Sequence, residues 1–113
     1  MTDFSDRGGV LRYLVEISEG DRLSPVWWQV ANTGGPAQVA AALKEMAVRL
    51  ELDLLYHPSE GRCWYRYSVS WSDGAILEGF EGEIDPTVIP DDLRALARSV
   101  ITVTVRERRH QEG

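Results

Sequence analysis

The sequence is poor in the features that most often announce a function. Its one cysteine, Cys63, cannot form an internal disulfide, which fits a reducing compartment. It has two histidines, His57 and His110, and no Cys/His/Asp spacing that suits a metal, so neither a metal nor any other cofactor is expected. No apolar run approaches the ~20 residues of a membrane span, and residues 1–9 lack the hydrophobic segment of a secretory signal. A cytoplasmic protein without membrane contact is the expectation. Gly34-Gly35 precedes a helical pattern, but the remaining glycines and the lysine of a phosphate loop are missing, which leaves a plain strand-to-helix turn. Between Asp73 and Asp92 there is no base at all, only seven acids. Such a stretch repels nucleic-acid phosphates and attracts basic partners, or serves simply as a solvated edge that keeps the chain soluble.

What is present belongs to an ordinary globular chain. With 113 residues, 43% hydrophobic and 27% charged, it forms one domain over 1–113, with 1–9 and 107–113 as loose ends. The net charge of −6 is uneven: residues 51–92 hold ten acids against Arg62 and Arg66, while 93–113 hold five arginines against Glu107 and Glu112. The basic tail Arg106, Arg108, Arg109 and His110 suits a helix C-terminus, where the dipole favours cations.

The most legible stretch is Cys63–Trp71, flanked by turn chemistry on both sides. Asp73-Gly74 between two β-rich runs predicts a two-residue type I′ hairpin. That register sets Ser72 against Ala75, Trp71 against Ile76, Val69 against Glu78, Tyr67 against Phe80, Arg66 against Glu81, Trp64 against Glu83 and Cys63 against Ile84. On the other side, the Pro/Gly turn at 57–62 returns residues 52–57 as a further strand and places Asp53 opposite Arg66. Alternation then collects Leu52, Leu54, Tyr56, Cys63, Tyr65, Tyr67, Val69, Trp71, Ile76, Phe80 and Ile84 on a core face. The wetter face takes Asp53, Leu55, Trp64, Arg66, Ser68, Ser70, Leu77, Gly79, Glu81 and Glu83.

Before this meander, residues 10–18 and 26–30 carry the period of strands, the second with Val26, Trp28 and Val30 on one face and Trp27, Gln29 and Ala31 on the other. From Pro36 to about Leu50, the apolar residues Val39, Leu43, Met46, Ala47 and Leu50 recur at helical spacing. After two prolines, Asp91 and Asp92 suit a helix start. The β-branched run 100–105 alone argues strand, but Leu93, Leu96, Ala97, Val100 and Ile101 share a helical arc with no turn residue between, so a continuous helix from Asp91 to about Arg106 is expected. The fold class is α+β in the order ββαβββα, a five-stranded, mostly antiparallel sheet with two helices packed on one face.

Two sets of residues are candidates for function, and neither forms a catalytic constellation. Trp64, Arg66, Glu81, Glu83 and Asp85 make a polar patch around a large aromatic on the face the helices leave open, suited to a protein partner with a basic surface or to self-association as a homodimer. Tyr65, Tyr67, Trp71 and Glu78 make the alternative, a small-ligand pocket between sheet and helices, with Glu78 a carboxylate on the core face. Cys63 and His57 come close through their hairpin but point to opposite faces, which argues for a small buried hydrophobe and against a nucleophile. The leading expectation is a non-catalytic interaction protein, an acidic inhibitor or immunity-type factor. The alternatives are a ligand-binding domain and an enzyme.

Overall fold

The computed structural model of the chain describes residues 10–19, 26–57 and 61–112, with side chains to Thr102 apart from Glu19 and Val26. The lead-in 1–9, most of the first loop, the Pro58 turn and the side chains of the basic tail lie outside the described residues. Four strands and two long helices follow the order ββαββα: β1 (Leu11–Glu19), β2 (Val26–Gly34), α1 (Pro36–Tyr56), β3 (Cys63–Trp71), β4 (Ile76–Ile84) and α2 (Ile89–Glu112), the last entered through a 3₁₀ turn at Pro86–Val88. The sheet is antiparallel throughout, in the order β2-β1-β3-β4.

Strict alternation in β1 buries Leu11, Tyr13, Val15 and Ile17 and leaves Arg12, Leu14 and Glu16 on the opposite face. Tyr65, Val69 and Trp71 of β3 join the buried set, and the expected stripe of α1 (Val39, Leu43, Met46, Ala47, Leu50) covers them together with Leu93, Leu96, Ala97 and Val100 of α2. Each fully buried aliphatic side chain of this set contributes about 1.5–3 kcal/mol relative to exposure. Both helices therefore pack on one sheet face, as their periodicity requires. The β-branched run after Ser99 continues α2, because burying Val100 with Leu93 and Leu96 needs the helical period.

The sheet has four strands, not five, because residues 52–56 extend α1 by about a turn and a half, with His57 as its cap, instead of pairing with β3. Glu51 to Tyr56 contains no β-branched residue and three leucines, a helix-favouring composition. The ladder position expected for it is occupied by β1, which sets Glu16 opposite Arg66 and Tyr13 opposite Val69. Leu52, Leu55 and Tyr56 are consequently exposed, and only Leu54 reaches the core.

The β3–β4 register agrees with the sequence arithmetic from Cys63↔Ile84 to Val69↔Glu78 and then departs from it. The turn is a three-residue loop, closed by the Gly74 N–H on the Trp71 carbonyl (2.9 Å) and the Trp71 N–H on the Ala75 carbonyl (2.8 Å). Gly74 alone takes a positive φ of 99°, whereas a type I′ turn needs one at Asp73 as well. The Asp73 carboxylate accepts the Ala75 N–H instead (2.9 Å). A bulge at Leu77 absorbs the extra residue, so Ile76 pairs with Ser70 rather than Trp71. Ile76 thereby turns to solvent (72% exposed), and Leu77 packs toward the core, the reverse of the expected faces.

Two polar devices start the helices. Gly35 precedes Pro36 and gives its N–H to Gln38 Oε1 (2.9 Å), which occupies the donor a phosphate would have used. Asp85 accepts the Thr87 N–H (3.0 Å) and hydroxyl (2.9 Å), and these bonds hold its carboxyl below the usual range.

Candidate interaction surface

The outer sheet face carries no helix among the described residues, since α1 and α2 both lie on the other side. Across it runs one polar row, Gln29 of β2, Glu16 of β1, Arg66 of β3 and Glu81 of β4. The Arg66 Nη2 lies 2.7 Å from Glu16 Oε1, and Gln29 Nε2 donates to Glu16 Oε2 at 2.9 Å. Arg66 thus has a carboxylate in register on either side, with Glu16 in the place expected of Asp53. With Glu16 largely shielded and Arg66 half-exposed, the cross-strand pair is worth ~0.2–1 kcal/mol. Arg66 Nε is shielded from solvent and makes no hydrogen bond. Trp64 sits in the next row between Ser18 and Glu83 and is partly buried.

The edge of that face is acidic. Because β3 pairs on both sides, β4 is an outermost strand, and Glu81, Glu83 and the following Asp85 are all exposed along it. Asp73 extends the acidic line to the hairpin tip and Asp91 to the start of α2. Two arginines border this edge with their charges partly committed. Arg62 donates to the Glu83 carbonyl (3.0 Å), and Arg94 is held by Glu51 (2.9 Å) and Asp91 (3.1 Å). Trp64, Arg66, Glu81, Glu83 and Asp85 therefore lie on one continuous surface, the outer face and its β4 margin.

The alternative set is divided between two ends of β3. Tyr65 is wholly buried, donates its hydroxyl to Asp92 Oδ2 of α2 (2.7 Å), and packs against Tyr67 (5.5 Å between ring centroids) and Phe80 (5.9 Å). Burial, and then the Asp92 charge, pushes both phenols above their ordinary range, and Glu78 adds to the effect on Tyr67. Glu78 does lie on the core face, opposite Val69, where the Ser99 hydroxyl of α2 donates to its Oε2. Trp71, buried with its Nε1 unpaired, lies six residues from Tyr65 along the strand, about 20 Å away. Tyr65 thus lies toward Asp92 at one end of this face, while Glu78, opposite Val69 and bonded by Ser99, lies level with the stretch between Tyr67 and Trp71.

An open cleft of about 630 Å³ lies elsewhere, where the start of β2 meets the end of α1. Trp27, Trp28, Arg49, Leu50, Leu52, Asp53, Tyr56 and His57 line it. Trp27 is itself the extra residue of a β2 bulge, since Ile17 pairs with Trp28 and Ser18 with Val26, and it lines this cleft together with Trp28. Arg49, Leu52, Asp53 and Tyr56 fall at i, i+3, i+4 and i+7, the signature of a shared helix face, which a strand reading of 52–57 hides.

Cys63 faces the core, and burial, reinforced by Asp85, pushes its thiol up to about 11 against a small opposing effect of Arg62. It is therefore protonated at neutral pH, a poor state for a nucleophile. Among the described residues no group of three or more His, Cys, Asp and Glu side chains could hold a metal, and no helix is long and apolar enough to cross a membrane. Compared with models of protein families, with curated proteins and with solved structures, the chain finds no match in any of the three.

Proposed function

We propose that this chain is a non-catalytic protein-interaction module, of the acidic inhibitor or immunity type, that binds a basic protein surface through the outer sheet face and its β4 margin. The observation that carries this reading is the coincidence of a sheet face that no helix covers among the described residues, bearing Trp64 and the Arg66 row, with an edge whose exposed side chains include Glu81, Glu83 and Asp85. An aromatic anchor beside an acidic margin supplies both burial energy and steering toward an oppositely charged partner. Partners captured from a host lysate on the wild-type chain, identified by native mass spectrometry, should be lost on the Glu81→Lys/Glu83→Lys variant and at high salt. Both positions are exposed, but Glu81 is in register with Arg66, so the variant should stay folded with a loss of about 0.2–1 kcal/mol of stability. A partner retained equally by that variant, and indifferent to salt, would overturn the reading.

The cleft favours a second reading, a small-ligand-binding domain whose aromatic site lies between β2 and α1. Aromatic walls with Arg49 and His57 beside a single carboxylate, Asp53, suit a planar ligand with an anionic group near Arg49. The probe anilinonaphthalene sulfonate should bind saturably, and Trp27→Ala or Arg49→Ala should weaken it by about tenfold, or ~1.4 kcal/mol. Equal binding by both variants would exclude the cleft.

A further inference from the structure

We infer that the partner's docking element is an extended segment that adds to β4 as a fifth strand, with basic residues at alternate positions and apolar residues between them. This rests on the acidic margin being the binding surface, and it specifies how that surface is read. β4 is a nine-residue strand hydrogen-bonded on one side only, so alternate N–H and C=O groups of its backbone point outward with no strand beyond them among the described residues. An edge of this kind is a template for strand addition, in which the main chain supplies affinity and alternate side chains supply selection.

The side chains of β4 define what is selected. Glu81 and Glu83 are two residues apart on the outer face, so their carboxylates repeat at about 7 Å, the same spacing as bases at i and i+2 of an extended segment. On the other face Phe80 is 42% exposed and lies flat enough against Gly82 that a Cβ there would meet its ring at 3.1 Å. The glycine lets the ring lie down over β4 against Tyr65 and Tyr67, and its exposed part offers an apolar contact on the face opposite Glu81 and Glu83. Gly79, in register with Ser68, leaves room on the outer face for a long basic side chain. The backbone free to pair is about 78–82, because the Leu77 bulge breaks the edge at one end and Arg62 takes the Glu83 carbonyl at the other, and Glu83 takes part only through its exposed carboxylate.

Charge also separates this occupant from the others. β2, the opposite edge, has no charged residue, so it offers nothing to a basic segment. A second copy pairing β4 with β4 would bring two sets of Glu78, Glu81, Glu83 and Asp85 to one seam, and like charges across strands are destabilising.

The test uses three synthetic peptides of one composition against the full chain at low salt. One alternates arginine or lysine with valine. The second groups the same bases in a block. The third is the alternating peptide with every second amide N-methylated along the edge that would pair. Fluorescence anisotropy should show the alternating peptide binding at least about tenfold more tightly than the other two. Its binding should slow hydrogen exchange of β4 amides and disappear on Glu81→Lys/Glu83→Lys. Equal affinities for all three, still abolished by charge reversal, would overturn strand addition and leave the acidic-surface reading standing. Binding indifferent to charge reversal would overturn both. Failure of the alternating peptide to bind, or protection of β4 amides by dimerisation of the chain alone, would overturn strand addition only.

Discussion

Replacing Tyr65 by phenylalanine should lower stability by about 1.5–3 kcal/mol, and replacing it by alanine by about 3–5 kcal/mol. The phenylalanine variant keeps the ring contacts to Tyr67 and Phe80 and removes only the hydroxyl that donates to Asp92. That bond ends on a carboxylate at the first turn of α2, so it pins the start of the helix to the Cys63 end of β3. Asp92 is only partly buried, and water can replace part of the lost bond, which sets the expected value toward the lower limit. The alanine variant also empties a wholly buried position at the centre of the sheet, with β1 and β4 on either side. Urea unfolding with an unchanged m-value would measure both. A phenylalanine variant within about 0.5 kcal/mol of wild type would show that α2 is docked by its apolar stripe alone.

The parts of the fold that were legible in the sequence are those set by local chemistry. Asp73-Gly74 and the alternation of Cys63–Trp71 were enough to pair seven residues of β3 correctly, Cys63 through Val69. Ile76 departs from that pairing because two one-residue irregularities, the longer loop and the Leu77 bulge, cancel beyond Glu78 and leave no trace in the overall register. Residues 52–57 failed for a different reason. Their alternation of leucine with polar residues suits a strand, but whether a strand forms depends on a vacant ladder, and β1 had taken it from more than forty residues away. The β1–β3 pairing has no connecting turn from which to count, and the 57–62 turn pointed instead to Asp53 as the carboxylate on that side of Arg66. It is Glu16. Of the candidate residues, the outer-face set came out as one surface because it followed from the hairpin register, whereas the aromatic cleft was hidden by the misread end of α1. The position of Glu78 on the core face was legible, but its Ser99 donor required knowing that residue 99 is helical.

The native state should lose stability steadily as pH rises from 9.0 toward about 11. Cys63 has an ordinary value of 9.0 that burial and the Asp85 charge raise to about 11, and Tyr65 and Tyr67 are raised in the same direction by burial and the Asp92 charge. For each of these acids the folded chain holds its proton at a pH where the unfolded chain has released it. The unfolded state therefore binds fewer protons, and the unfolding free energy falls with pH. The contribution is fully present below the unfolded value, 9.0 for the thiol and 10.0 for the phenols, and is lost as pH climbs through the raised values. The acid limb has the opposite sign: Glu51, bonded by Arg94, and Asp85, bonded by Thr87, are held low, so their contribution is present above the ordinary carboxylate range and lost as pH falls through their lowered values. Both of those carboxylates are exposed, so the alkaline limb should be the steeper. Urea midpoints measured from pH 7 to 11 should be level up to pH 9.0 and decline beyond it. In Cys63→Ala the decline between 9.0 and about 11 should be shallower, because one of the three linked protons is gone. A midpoint that stays level to pH 11 would mean that the Tyr65–Tyr67–Cys63 side of the core opens to water without unfolding. The alanine variant would then also match wild type in slope, which separates local opening from an error in the sign of the linkage.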